Sequence, residues 1–198
     1  LDISKYVYVS SVLSPYKQYS HGIYLQEQLE AGPVKLLLGI RQEFFTDVLD
    51  YKTDKETHTT QHAFIPRIGA VVSVCKNLNV YGTWVKGFEP QSAAVQGNPN
   101  AGGPFDPEYS RLLEAGLKGE WFDKRLSTTL SFFHLQKSNT LYNANDAGNP
   151  ELLEQVGEET SKGIELDVAG FILPNWSIVA NYAYTHAAIT KTATGSEK

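Results

Sequence analysis

Two carboxylates placed two positions apart are the most suggestive chemical groups in the sequence. Glu165 and Asp167 lie in the stretch "ETSKGIELDVAG", residues 159–170, where apolar residues alternate with them. Alternation with period two places the acidic and the apolar residues on opposite faces of a β-strand. The two carboxylates are then ~6.5–7 Å apart, which overlaps the separation of the paired acids in an inverting glycosidase. Polar lining of a water-filled space is the simpler explanation, and we predict that role for both residues.

Other candidate chemical groups lack the partners that their chemistry requires. "HTTQH" supplies His58 and His62, but a zinc or iron site needs a third ligand, and none is spaced nearby. The glycine-rich stretch 97–107 has neither the Walker lysine nor the strand–helix context of a phosphate-binding loop. We therefore predict no catalytic residues, no bound metal, no cofactor and no enzymatic activity.

The composition excludes some broad classes of protein. A formal charge of −5 over 198 residues argues against a nucleic-acid binder, which usually carries a basic face. The chain has no apolar run near the ~18 residues that a transmembrane helix needs. Its single cysteine excludes a small scaffold held by disulfides.

The order of breaks along the chain predicts an antiparallel all-β fold. Short breaks at 31–33, 75–77, 122–125 and 173–175 alternate with long polar breaks at 47–62, 89–109, 138–157 and from 190 onward. Strict alternation makes neighbouring strands antiparallel, with the tight turns at one end and the long loops at the other. The eight predicted strands cover about 20–30, 34–46, 63–74, 78–88, 109–121, 125–137, 156–170 and 176–189.

Three features favour a transmembrane barrel over a soluble sandwich. The predicted strands have 11–15 residues, against ~5–6 in an ordinary strand and ~9–11 needed to cross a bilayer at a tilt. Aromatic residues lie near strand ends, and loop length differs systematically between the two ends, as in outer-membrane barrels. The lumen-facing set is then predicted to contain Arg41, Glu43, Glu165 and Asp167, with the alternating apolar residues facing lipid.

Four stretches resemble TonB-dependent siderophore receptors in the order in which that family carries them. Residues 159–170 resemble the family's "RSKGVELE-x-x-G" strand, and "PRIGAVVSVCKNLNVYGTWVKGFEPQ" (66–91) is similar to "PRxGxVYxPxxNLSLYxSYSxGFxPQ". Residues 102–134 resemble the family's "YEVGxKGxFxDxRL" hairpin, and 22–43 resemble the strand pair that ends in "GLRYD". The match is closest to ferrichrome-type and related hydroxamate receptors.

The resemblance implies a 22-stranded barrel in the outer membrane of a Gram-negative bacterium. Such a receptor imports a ferric siderophore with energy relayed by TonB through an N-terminal plug. Residues 1–198 are then expected to be a segment of the barrel domain, about eight consecutive strands, without the plug and the terminal strands. The implied partners are the ferric siderophore, the TonB complex through that plug and outer-membrane lipid, with no nucleic acid.

Aromatic residues in the long loops are the candidate ligand contacts. A ferric hydroxamate complex is compact, polar and nearly neutral, so rings and a few hydrogen-bond donors suit it better than a dense charge cluster. The candidates are Tyr51, Phe105, Tyr109 and Tyr142.

Two other functions remain open from the sequence. A self-contained eight-stranded barrel of the adhesin or small-porin kind requires the first and last strands to pair with each other. A barrel-borne hydrolase requires a nucleophile and a base that meet at one rim.

Overall fold

The computed structural model describes residues 15–191, which form one antiparallel sheet of eight strands in chain order. Each connection joins neighbouring antiparallel strands, so the sheet is a series of hairpins. The strands are β1 Tyr16–Ala31, β2 Val34–Leu49, β3 Thr57–Cys75, β4 Leu78–Glu89, β5 Glu108–Trp121, β6 Leu126–Asn143, β7 Leu153–Leu173 and β8 Trp176–Lys191.

Turn length separates the two ends of the sheet, as predicted. The β1–β2, β3–β4, β5–β6 and β7–β8 connections are tight, and Gly32 adopts φ 57° in the first of them. That left-handed conformation is easily reached by glycine because it has no Cβ. The connections at the other end cover 50–56, 90–107 and 144–152.

The strand register shows which residues share a face of the sheet. Directly paired residues share a face, and one row of pairs runs Leu117, Leu130, Leu166 and Tyr182 across four strands. The next row is Lys118, Thr129, Asp167 and Asn181. We call the first side the outer face and the second the inner face.

The other predicted lumen residues also lie on the inner face. Glu165 pairs with Ser131, which is buried. Arg41 and Glu43 alternate with outward residues such as Ile40, which is 45% exposed. The register also assigns the mixed strand β6, whose faces the sequence did not reveal.

The first and last strands do not pair. Within residues 15–191, β1 pairs only with β2 and β8 only with β7, so the sheet is open. The pairing that a self-contained eight-stranded barrel requires is therefore not observed.

The strands are longer than predicted, and one short helix was missed. They have 12–21 residues, because the backbone ladder continues through polar residues beyond the apolar rows. The β4–β5 connection contains α1, Ala93–Gln96, a single turn capped by Ser92. No helix among residues 15–191 has the length and apolar character to cross a membrane.

We expect Leu166→Lys to impair membrane assembly far more than Asp167→Lys. A lysine on the lipid face near the midplane costs about 2–4 kcal/mol, whereas a lysine on the inner face stays in a polar environment. The heat-modifiable folded fraction of the full-length protein in outer membranes is the measurement. Equal folded fractions for the two variants would contradict the assignment of faces.

Candidate ligand-binding site

Two long loops at the open end of the sheet are bonded into one structure. The β4–β5 loop (90–107) meets the β6–β7 loop (144–152) along hydrogen bonds from backbone and side chains. The Leu153 N–H donates to the Ala101 carbonyl at 2.9 Å, and the Asn149 side-chain amide donates to the Asn100 carbonyl at 2.7 Å. We call this pair of loops the loop cap.

Gln155 joins the base of the loop cap through both atoms of its side-chain amide. Its Oε1 accepts from the Asp106 N–H at 2.9 Å, and its Nε2 donates to the Asp106 carbonyl at 2.5 Å. The same Nε2 lies 3.2 Å from the Asn139 carbonyl. One residue of β7 therefore fixes the position at which the β4–β5 loop returns to the sheet.

Buried polar groups anchor the other end of the β4–β5 loop. Asp47 on β2 is 1% exposed and accepts hydrogen bonds from the Ala93 N–H, at 2.9 Å, and from the Tyr16 hydroxyl. Gln61 on β3 exchanges two hydrogen bonds with the Gln91 backbone, at 2.9 and 3.0 Å. These bonds compensate the burial of polar atoms, which is costly when a partner is missing.

A concavity of mixed polar and apolar lining lies on the inner face beside the start of this loop. It has a volume of about 430 Å³ and is lined by Ser20, Arg41, Glu43, Phe45, Ile65, Gly87, Phe88 and Pro90. Arg41 Nε donates to Glu43 Oε2 at 2.5 Å, and the Ser20 hydroxyl donates to the other carboxylate oxygen. The Arg41 side chain stays half exposed, so its remaining N–H groups are available to an oxygen-rich ligand.

Phe105 packs into the loop cap. It is 8% exposed, and the Gln96 amide accepts from its N–H at 2.8 Å and donates to its carbonyl at 2.6 Å. Phe105 also lines a cavity of about 450 Å³ between this loop and the ends of β3 and β5. In this structure the ring contributes mainly to the shape of the loop.

Tyr109 lies on the outer face. It pairs with Phe88 in the strand register, and the two ring centroids are 6.0 Å apart. Lys86 Nζ lies 4.3 Å from the Tyr109 ring centroid. Tyr109 lines the same cavity as Phe105, and its contact with a ligand stays a prediction.

Tyr51 and Tyr142 are placed differently from each other. Lys17 Nζ lies 3.3 Å from the Tyr51 hydroxyl and 4.7 Å from the Tyr51 ring centroid. The lysine therefore covers one side of that ring. The Tyr142 hydroxyl is buried and has no hydrogen-bond partner among residues 15–191. A buried hydroxyl left unpaired costs roughly 1–3 kcal/mol. Because this atom is closed to solvent, contact between Tyr142 and a ligand stays a prediction.

The two histidines singled out in the sequence lie apart from any cluster of metal ligands. Within residues 15–191 no group of three histidine, cysteine, aspartate or glutamate side chains could hold a metal ion. His58 Nε2 instead lies 2.8 Å from Glu56 Oε1. The Lys52 N–H, 2.6 Å from the other oxygen, lowers the pKa of the Glu56 carboxyl, and the His58 ring lowers that pKa further.

The anchors of the loop cap were not found from the sequence. Asp47, Gln61 and Gln155 are polar residues near strand ends, and their spacing carries no periodic signal. Glu165 and Asp167 lie far along β7 toward the tight turns and contact neither loop of the cap. The structure thus brings Arg41 and Glu43 near the cap and leaves Glu165 and Asp167 in the lower wall.

Comparison with known proteins shows one consistent family. The profile described as "TonB dependent receptor-like, beta-barrel" matches residues 3–198. The chain is 34% identical over 175 residues to the Metal-pseudopaline receptor CntO of Pseudomonas aeruginosa, covering 84% of this chain and 24% of that protein. It is 28% identical over 145 residues to the Ferripyoverdine receptor of the same species, covering 69% of this chain and 18% of that protein.

Solved structures agree with this result. The alcaligin outer-membrane receptor FauA of Bordetella pertussis superposes with a TM-score of 0.71 at 25% identity, over 94% of this chain and 33% of that one. The ferripyoverdine receptor of Pseudomonas aeruginosa bound to ferripyoverdine gives a TM-score of 0.76 at 21% identity, over 93% of this chain and 24% of that one. The chain spans 24% of the length of the two Metal-pseudopaline receptors that it matches.

We expect Gln155→Ala to loosen the base of the loop cap. The variant removes the acceptor of the Asp106 N–H and two donated hydrogen bonds, worth together ~2 kcal/mol or more, so exchange at that amide should accelerate roughly thirtyfold. Hydrogen exchange of peptides covering 100–110 in the full-length protein is the measurement. Gln28→Ala, which removes only a bond to Glu30 near the tight turns, is the matched control. Unchanged exchange in the Gln155 variant would show that this side chain does not hold the loop.

Proposed function

The chain belongs to the TonB-dependent receptor family as part of its β-barrel, and from that premise we propose that it forms wall and external loops of an importer of a ferric hydroxamate siderophore. Family membership places the barrel in the outer membrane of a Gram-negative bacterium, and its relatives are receptors rather than enzymes. The loop cap beside the concavity that Arg41 and Glu43 line is the observation that supports a ligand site at this end. The β4–β5 and β6–β7 loops would cover the ligand while the inner wall receives it.

The groups around this site suit a compact, polar and nearly neutral ligand. Arg41 offers N–H donors beside a carboxylate that already balances its charge, so the pair adds hydrogen bonding without a large net charge. The Tyr142 hydroxyl is a further candidate donor. Aromatic rings supply apolar contact, and polar groups placed at a few points fix the orientation of a bound molecule.

The source of energy is part of the same proposal. Neither loop of the cap contains a group that could drive transport against a gradient. We propose that the energy comes from TonB through a plug domain, as the family resemblance implies. Binding at the loops and import through the barrel are then separate steps.

A second candidate ligand is supported by the relatives themselves. The proteins 33% and 34% identical to this chain are both named Metal-pseudopaline receptor. That name specifies a complex of a metal with pseudopaline and not a ferric hydroxamate. The coarser proposal, import of a metal chelate, covers both. A panel of ferric hydroxamate, ferric pyoverdine and metal–pseudopaline complexes would distinguish the two candidates.

We expect Tyr142→Ala and Phe105→Ala to weaken binding of the preferred chelate by roughly ten- to a hundredfold. Loss of the Tyr142 ring as a contact, or of the Phe105 ring that shapes the loop, removes ~1–3 kcal/mol of burial, and ~1.4 kcal/mol corresponds to a factor of ten. Tyr51→Ala and Tyr109→Ala complete the set of predicted contacts. Affinity for each complex in the panel is measured on whole cells that express the full-length receptor.

Tyr142→Phe is the sharper test of the hydroxyl. It keeps the ring and removes the only donor, so its affinity should fall between those of the parent and Tyr142→Ala. Leu117→Ala, at an outer-face residue toward the tight turns, is the control for general damage to the barrel. If every loop variant binds every chelate as tightly as the parent, the site does not lie at this loop cap.

Import should fail in cells without TonB while binding persists. The reason is that the loops provide affinity and the plug receives the energy. Uptake of radiolabelled metal chelate is compared with surface binding in matched cells with and without TonB. Uptake that continues at the parent rate without TonB would contradict the proposed coupling.

A further inference from the structure

One stretch of strand edge lacks a partner at the end of the sheet that carries the long loops. The β3–β4 register runs from Cys75 opposite Leu78 to Arg67 opposite Val85 and stops there, although β3 extends as far as Thr57. The next residue of β3 is Pro66, which has no N–H to contribute to the ladder. Residues 57–66 of β3 therefore pair with β2 alone.

The free backbone groups on this edge belong to every second residue. The N–H and C=O of successive strand residues point alternately to the two neighbouring strands. The Ser73 N–H donates to the Pro33 carbonyl beside β2 at 2.8 Å, whereas the Ile68 carbonyl accepts from the Thr83 hydroxyl of β4 at 3.2 Å. Even-numbered residues of β3 thus face the side of β4, and no backbone segment among residues 15–191 pairs with them beyond Pro66. We call the backbone of these four exposed residues the open edge: His58, Thr60, His62 and Phe64.

A slot lies beside the open edge. It is the cavity of about 450 Å³ that has residues 59–62 of β3 on one wall and residues 104–107 of the β4–β5 loop on the other. Its volume falls within the range of ligand pockets, roughly 300–1,000 Å³. The Phe105 and Tyr109 rings supply apolar surface to it.

The loop wall of the slot has no free hydrogen-bond donor on its backbone. Two of the four residues 104–107 are prolines, which have no N–H. The Gln96 side-chain amide binds both backbone groups of Phe105, at 2.8 and 2.6 Å. The Gln155 side-chain amide does the same for Asp106, at 2.9 and 2.5 Å. This segment therefore cannot join β3 as a strand, and backbone hydrogen bonds to a molecule in the slot come from the open edge.

We propose that the open edge binds an extended segment of a polypeptide from outside the cell, which adds to β3 as a further strand. A row of N–H and C=O groups at strand spacing is complementary to the backbone of an extended peptide. Side chains of that segment that enter the slot are apolar or aromatic, because they meet the Phe105 and Tyr109 rings. The long loops of such barrels are extracellular, so the edge is reached from outside. The proposal does not depend on which chelate the receptor imports.

A library of linear heptapeptides displayed on phage is the probe, and the full-length receptor in detergent is the target. The library is first depleted on the His62→Pro receptor and then selected on the parent receptor. Each selected peptide is synthesised with N-methyl groups on one or the other alternate set of its backbone nitrogens. On the parent receptor we expect one set to weaken binding roughly tenfold or more, because it removes the N–H groups that face β3, and the other set to leave affinity nearly unchanged.

His62→Ala is the matched control for His62→Pro. The proline removes the N–H of the open edge and leaves the β2–β3 ladder in place, and Pro66 shows that this edge accepts a proline. We expect the selected peptides to bind His62→Pro roughly tenfold more weakly and His62→Ala within about twofold of the parent, since alanine keeps the N–H. Each variant must show the parent's heat-modifiable folded fraction. If His62→Pro does not fold, the methylated pairs on the parent receptor decide alone.

Three results would overturn the proposal. The first is a library that yields no peptide bound to the parent receptor after depletion. The second is an equal effect of the two methylated sets, which would show that the peptide backbone is not read as a strand. The third is equal affinity of the folded His62→Pro and His62→Ala receptors.

Discussion

In hydrocarbon, every backbone N–H and C=O must find its partner within the protein, and this constraint determines the rest of the structure. A continuous ladder of paired strands satisfies this constraint. In such a ladder the side chains alternate between the two faces every second residue for as long as the register of pairing is kept. A slip of one residue would place Asp167 in lipid and Leu166 in the lumen. The same ladder that satisfies the backbone therefore decides which residues meet lipid and which meet the lumen.

The wall could be predicted from the sequence because its signals are periodic. The number of strands, their order, the ends that carry tight turns and the faces of β2, β5, β7 and β8 all follow from alternation and turn residues. Strand ends could not be predicted, because a ladder continues for as long as backbone partners are available, whatever the side chains. β6 illustrates the consequence, since it continues to Asn143, well beyond its predicted end near 137.

The loop cap was beyond sequence reasoning for a different physical reason. Its shape depends on single polar groups far apart in the chain, such as Asp47 with Ala93 and Gln155 with Asp106, separated by 46 and 49 positions. Such contacts leave no local pattern, and several polar residues near each strand end could have served equally well. The sequence identified candidate aromatic residues, but the structure was needed to place Phe105 inside the loop cap and Tyr142 within β6.

Connection of all eight strands by hairpins in chain order has an evolutionary consequence. An insertion or deletion within a long loop changes no strand pairing, because both neighbouring strands remain aligned by their own ladders. The external surface can therefore diversify, under pressure from new chelates or from agents that attack the cell surface, while the wall stays fixed. This modularity explains how a chain that shares only 21–25% of its residues with solved receptors keeps a superposable wall, with TM-scores of 0.71 and 0.76.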